Sequence, residues 1–220
     1  MYIPDAFREE RLDVLHRLIE ENSFATLITD SPDGLFATHI PVLLDRAAGP
    51  RGTLNAHVAR ANPHWRYLAG SDALVIFQGP HAYVSPSWYA TGGRVPTWNY
   101  IAAHAYGAPR LIEDPRAVRA LIERTVGTYE SGFAAPWDMS GLDPKAVDGL
   151  LQSIVAFEIP IARLEGKRKL NQNRSRADRE GAIRGLRAHG RDDAGEIADL
   201  MEADLPAVGF NGTGSRIGRA

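Results

Sequence analysis

Apolar residues recur along the chain with two different periods. Between Arg11 and Glu21, Leu12, Leu15, Leu18 and Ile19 follow a spacing of three to four, which predicts an amphipathic helix. From Phe24 the period falls to two. FATLIT at 24–29 and LFATHIPVLL at 35–44 read as antiparallel strands joined at Ser31-Pro32-Asp33-Gly34, with Asp33-Gly34 supplying the tight hairpin. Pro41 has no N–H, so the second strand is expected at an edge or with a bulge. Thr53–Ala59 reads as a third strand, and Leu74–Gln78, His81–Ser85 and Tyr100 through Ile112 as more, joined by Gly- and Pro-marked turns. Ile154–Leu164 alternates as a last strand, with Pro160 again marking an edge or bulge.

Three times the chain sets Asn or Asp directly before Pro: Asn62-Pro63, Asp114-Pro115 and Asp143-Pro144. The Asx side chain caps the first N–H groups of a helix and Pro suits the first helical position, so these predict helices through Leu68, to about Tyr129, and to Gln152. The second is expected to bury Val118, Leu121, Ile122 and Val126, and Trp137 in the following loop to plug onto the sheet. Beyond Glu165 the texture is polar. Ser175 is placed to cap a short helix to His189, Gly195–Ala203 reads as another, and Asn211–Ala220 as a frayed tail.

About six or seven short strands with interspersed helices predict a β-rich α+β fold, an antiparallel barrel with peripheral helices. Small barrels fill their own interiors, so a large ligand is expected outside, where two chains meet.

With 220 residues, 44% of them hydrophobic, the chain can bury one substantial core with a small appendage. A net charge of -2 gives no large positive field, so nucleic-acid contact would need the local cluster Lys167, Arg168, Lys169, Arg174 and Arg176. There is no cysteine, which excludes disulfides and thiolate chemistry. The start, MYIPDAFREERL, has no basic-then-apolar pattern, and no stretch approaches the ~20 apolar residues of a membrane span, so a cytoplasmic protein is expected.

Three places carry candidate chemistry. Trp88, Tyr89, Trp98 and Tyr100 crowd into one stretch that reads either as sheet core or as a site for a flat ligand. In RANPHWR a strand runs straight into a helix N-terminus beside His57, Arg60 and His64, which suits a phosphate and equally an ordinary capped helix. Lys169, Gln172 and Asn173 fit a solvated basic face, a nucleic-acid contact, or a site for the edge of a heterocycle. No histidine spacing points to a metal, no strand–turn–helix serine is present, and no catalytic residue is assigned.

The blocks HIPVLLD (39–45), HVARANPHW (57–65), FQGPHAYVSPSWY (77–89), VPTWNY (95–100) and FEIPIARLEGKRKLNQNR (157–174), after the opening MYIP, resemble the PaiB-type FMN-binding negative transcriptional regulators, in family order, over about residues 1–186. The resemblance implies an FMN-binding split β-barrel related to pyridoxamine-phosphate oxidases. With the C-terminal helices read above, residues 1–205 are expected to form a single domain ending in a helical segment (about 175–205), and 206–220 a flexible tail. It implies a homodimer with FMN near the interface. His57, Arg60 and Asn62 would hold the phosphate, Thr38, His39 and Ile40 would lie along the ring, and Trp98 and Asn99 would approach it. Lys169, Gln172 and Asn173 would close the site. The loop 90–94 is shorter than the family pattern, and the chain after about His189 matches no block. A regulator acting through redox or small-molecule state is the first functional reading. A flavin-dependent oxidoreductase and a haem-binding split barrel are the alternatives, and DNA contact is left open.

Overall fold

The computed structural model describes residues 1–70, 72–191 and 193–205; the tail expected at 206–220 lies outside them. The strands are β1 (Arg8–Glu9), β2 (Phe24–Ser31), β3 (Gly34–Asp45), β4 (Thr53–Ala59), β5 (Ala73–Val84), β6 (Thr97–Gly107), β7 (Arg110–Ile112), β8 (Ile154–Pro160) and β9 (Arg163–Lys169). The helices are α1 (Leu12–Glu21), α2 (Pro115–Glu130), α3 (Pro144–Gln152), α4 (Arg176–His189) and α5 (Ala194–Ala203), with short 3-10 turns at Asp5–Phe7, Pro63–Tyr67 and Pro86–Trp88. The strands form one sheet in the order β1-β9-β6-β5-β2-β3-β4-β8-β7, an antiparallel split β-barrel with peripheral helices.

By compactness the chain divides into a larger unit, Met1–Pro80 with Tyr100–Lys169, and a smaller one, residues 81–99 with the described residues from 170 to 205. The larger unit's interior is lined by alternate strand residues such as Leu27, Leu54, Val75, Phe77 and Phe157. In the smaller unit α4 and α5 bury Ile183, Leu186, Ile197 and Met201.

The Asx-Pro signals hold in all three places. Asn62, Asp114 and Asp143 each accept a hydrogen bond from a backbone N–H two residues on, and Ser175 caps α4 as expected. The first of these opens only a five-residue 3-10 turn.

Four strand expectations are corrected. Ser31 pairs with Gly34, so Pro32 and Asp33 form the hairpin loop and Gly34 already belongs to β3. Pro41 is not on an edge strand of the sheet: β3 pairs with β2 through residues 34–41 and with β4 only through residues 42–45, so Pro41 stands just outside the β4 ladder, on a locally unpaired margin where a missing N–H costs no ladder bond. Leu74–Gln78 and His81–Ser85 are not separated by a turn but run together as β5. Gly79 is needed there because a Cβ would collide with Ile101 of β6. The run 154–164 is two strands, β8 beside β4 and β9 beside β6, so the polar GKRK segment is sheet rather than loop.

Helix α2 also differs. Only Leu121 is buried, against Leu43 and Ala156, while Val118, Ile122 and Val126 stay partly open to solvent. Trp137 is 51% exposed and does not plug the sheet; its backbone N–H donates to Glu130 at the end of α2.

Candidate functional site

The turn after β4 builds a hub around His64. Asn62 Oδ1 accepts from the His64 N–H (3.0 Å) and folds the chain so that the imidazole enters the sheet. There Nε2 meets Thr29 Oγ1 of β2 at 2.9 Å and Nδ1 meets Thr38 Oγ1 of β3 at 2.7 Å. Thr38 also accepts from Asn62 Nδ2 at 3.2 Å. The ring has no solvent exposure, and Phe36 meets it edge-on at 4.9 Å. Burial pushes the His64 pKa down from its ordinary 6.5, so the ring is neutral at pH 7. One ring nitrogen then donates and the other accepts, which two hydroxyls can satisfy in either tautomer.

The next residue of β3 faces the other way. His39 is exposed, and its Nδ1 lies 3.0 Å from Thr26 Oγ1 on β2. Phe24, 71% exposed, lies nearly parallel to the His39 ring at 6.4 Å between centroids and 23° between planes. The same face of β2, β3 and β5 carries Ile28, Leu35, Leu74 and Ile76, with the exposed Asp30 opposite Leu35, so apolar residues flank the Thr26–His39 pair. Leu35 is 79% exposed.

The candidates from the sequence therefore separate. Thr38 and Asn62 meet in the His64 hub, His39 is on the opposite sheet face, and Ile40 is a core residue. His57 is half-buried on β4, and burial pushes its pKa down. Arg60 turns toward the α3–β8 junction: its Nε donates to the Gln152 carbonyl (2.6 Å) and its Nη2 to the Ile154 carbonyl (2.8 Å). It lines a groove of about 820 Å³ that none of Thr38, His39, Ile40, His57 or Asn62 reaches. Lys169 ends β9 opposite Tyr100.

The other candidates belong to the smaller unit. Trp98 is 48% exposed with Tyr83 at 5.9 Å and His81 at 6.2 Å. Asn99 is fully buried, its Nδ2 3.2 Å from the Met201 sulfur. Gln172 accepts from the Leu170 N–H, and Asn173 is exposed. A second buried hub lies here. Asp178 of α4 accepts from the Thr91 N–H (2.9 Å) and hydroxyl, with Arg94 3.9 Å away. Burial works to raise its pKa, but the Thr91 and Ser175 hydrogen bonds and the Arg94 charge hold it below the usual carboxylate value.

Sequence reasoning set His64 beside a helix start and missed it as a hub, because its partners Thr29 and Thr38 lie 35 and 26 residues away. Thr29 and Thr38, at positions that share one face of the β2–β3 hairpin, were the available signal. Among the described residues, no group of three or more His, Cys, Asp or Glu could hold a metal ion, and no helix is long and apolar enough to cross a membrane.

Residues 1–163 match a family described as "Putative FMN-binding domain". The chain is similar to "Protease synthase and sporulation protein PAI 2" of Bacillus subtilis, at 36% identity over 208 residues covering 93% of this chain and 98% of that one. Among solved structures it resembles the FAD and heme binding protein from Mycobacterium smegmatis, with a TM-score of 0.57, 19% identity, and coverage of 74% of this chain and 73% of that chain. It also resembles the flavocytochrome Anf3 from Azotobacter vinelandii, with a TM-score of 0.55, 13% identity, and coverage of 74% and 69%. At those identities the two structures support the fold.

Proposed function

The chain belongs to the FMN-binding domain family, with FMN as its cofactor, and we propose that it is a regulatory protein of the PaiB type whose flavin registers redox or small-molecule state. The observation that carries the reading is the reach of the likeness to the Bacillus protein, named for protease synthesis and sporulation, which runs over nearly all of both chains rather than one motif. A regulator of this kind works in the cytoplasm.

The β2–β3 face fits the flavin better than the His64 hub does. Within the hub, Thr38 and Asn62 already bond to each other and to His64, so their polar atoms are occupied internally. The face instead presents the Phe24 and His39 rings to solvent, with His39 oriented by the contact of its Nδ1 with the Thr26 hydroxyl. His39, Thr26 and Phe24 would hold the isoalloxazine, and the flavin when bound supplies the redox chemistry. The surrounding apolar strip supports a homodimer: a row of Phe24, Ile28, Leu35 and Ile76 on a sheet face is what an isologous interface buries.

The visible spectrum of the purified protein, before and after saturation with FMN, tests the cofactor site. His39→Ala is expected to weaken FMN by about tenfold, the loss of one hydrogen bond and a stacking face. Leu35→Lys is expected to convert the dimer to a monomer in sedimentation. Preference for one duplex over random DNA that changes when the flavin is reduced would support direct regulation. Steady NAD(P)H oxidation without DNA preference would replace the regulator by an oxidoreductase.

A further inference from the structure

The helix α2 carries an apolar row that the sheet leaves partly uncovered, and the space beside it is the groove of about 820 Å³ between α2, α3, β7 and β8. That volume lies within the range of small-molecule sites, roughly 300–1,000 Å³. Its apolar wall is made by Leu111, Val118 and Leu151, and Trp65 stands at one side, its Nε1–H donating to the Arg60 carbonyl at 3.0 Å.

The charges in the groove are unevenly matched. Arg119 is paired, with Asp148 at 2.8 Å and Glu123 at 4.0 Å, so those two carboxylates are neutralised within the protein. Arg60 is different. Its guanidinium is fixed by two backbone carbonyls, which orient it without cancelling its charge, and among the described residues it has no carboxylate partner. The Arg116 side chain likewise has no carboxylate partner among the described residues, although its position in the first turn of α2 sets a cation where a helix start disfavours one. Glu113 is the one remaining acid in the lining.

We propose that this groove binds a small anionic amphiphile, a carboxylate or sulfonate on an aromatic or short aliphatic body, with the anion on Arg60 and Arg116 and the body against Trp65, Leu111 and Val118. A guanidinium held rigid in advance loses little freedom on meeting an anion, which is the condition for a strong charge-assisted contact. A purely apolar ligand would leave both cations unmatched, and a large polyanion would meet Glu113, Glu123 and Asp148. The site is separate from the β2–β3 face and stands whether or not the flavin is held there.

The probe is 8-anilinonaphthalene-1-sulfonate, titrated into the full chain with its fluorescence as the readout. One saturable site per chain is expected, weakened about tenfold by Arg116→Ala, the loss expected for one charge-assisted contact. Val118→Trp, which fills the groove from a partly exposed position, is expected to abolish that site. FMN titrations of both variants should match the parent, which separates this site from the flavin reading. Probe affinity unchanged in both variants would overturn the proposal, as would displacement of the groove-bound probe by FMN. Sedimentation showing that Val118→Trp instead dissociates a dimer would assign the groove to a second copy and also overturn it.

Discussion

The His64 and Asp178 hubs do the same mechanical task with opposite chemistry. Each side chain has no solvent exposure, and each fastens an irregular segment to a regular element: His64 ties the 62–67 turn to β2 and β3, and Asp178 ties the 91–94 loop to α4. The first is a neutral ring between two hydroxyls. The second is a carboxylate held by an amide, hydroxyls and a nearby arginine. A neutral hub avoids the cost of burying charge but fails when it must accept a proton, whereas an anionic hub must be compensated and then resists acid to a lower pH.

Removing the neutral hub gives the largest effect. His64→Ala leaves a cavity and strips both threonine hydroxyls of a partner, and is expected to cost roughly 2–5 kcal/mol in denaturant unfolding. A cost below about 1 kcal/mol would mean that the turn is held by other contacts.

The second region breaks by crowding rather than by cavity. A Cβ on Gly181 would collide with the Trp88 carbonyl, and Gly185 lies against the Trp88 ring. Gly181→Ala is therefore expected to cost about 1–3 kcal/mol, with a changed Trp88 emission, while leaving the His64 ring resonances in place.

Acid should separate the hubs. His57, His64 and His104 all have pKa values pushed down by burial, so below about pH 6.5 the unfolded chain takes up protons that the native one refuses. Stability then falls with decreasing pH, by up to about 1.4 kcal/mol per pH unit for each such ring. The Asp178 contribution is present above its unfolded value of 3.8 and is lost only as pH falls below that. Stability that is flat between pH 7 and 5 would contradict the neutral hub.

The smallest expected effect is at the cap. Asn62→Ala removes the acceptor for the His64 N–H and one donor to Thr38, and is expected to cost about 1 kcal/mol by thermal unfolding. An effect as large as that of His64→Ala would make the cap, not the ring, the centre of the hub.

These comparisons also mark what could be read from the chain itself. The Asx-Pro caps were legible because each is a contact over two residues, decided by local chemistry. Gly79-Pro80 misled for the converse reason: its turn-like pair is used for the close approach of Ile101, twenty-two residues on, and only the tertiary neighbour explains it. The polar strand β9 was illegible because its Gly166 and Lys167 are buried by pairing with β1 and β6 rather than by apolar alternation. The His57–Trp65 block was read from the chain as a strand running into a helix start, and it forms the end of β4 and the turn after it. Which way each side chain turned was decided by the carbonyls of Gln152 and Ile154 and by two distant threonines.

Pro41 has a consequence in time as well as in space. On its N-terminal side β3 pairs with a neighbour reached through a two-residue loop, a contact that forms with little loop closure. On its C-terminal side β3 pairs with β4 across another short loop, and β4 pairs in turn with β8, joining Thr53 to Pro160 across about half of the chain. Both pairings of β3 are local in sequence and the β4–β8 pairing is not, so β2, β3 and β4 are expected to form early and β8 to close on them late. Pro41 therefore stands inside the fast-forming part of the barrel, and the slow step is the arrival of β8 on β4.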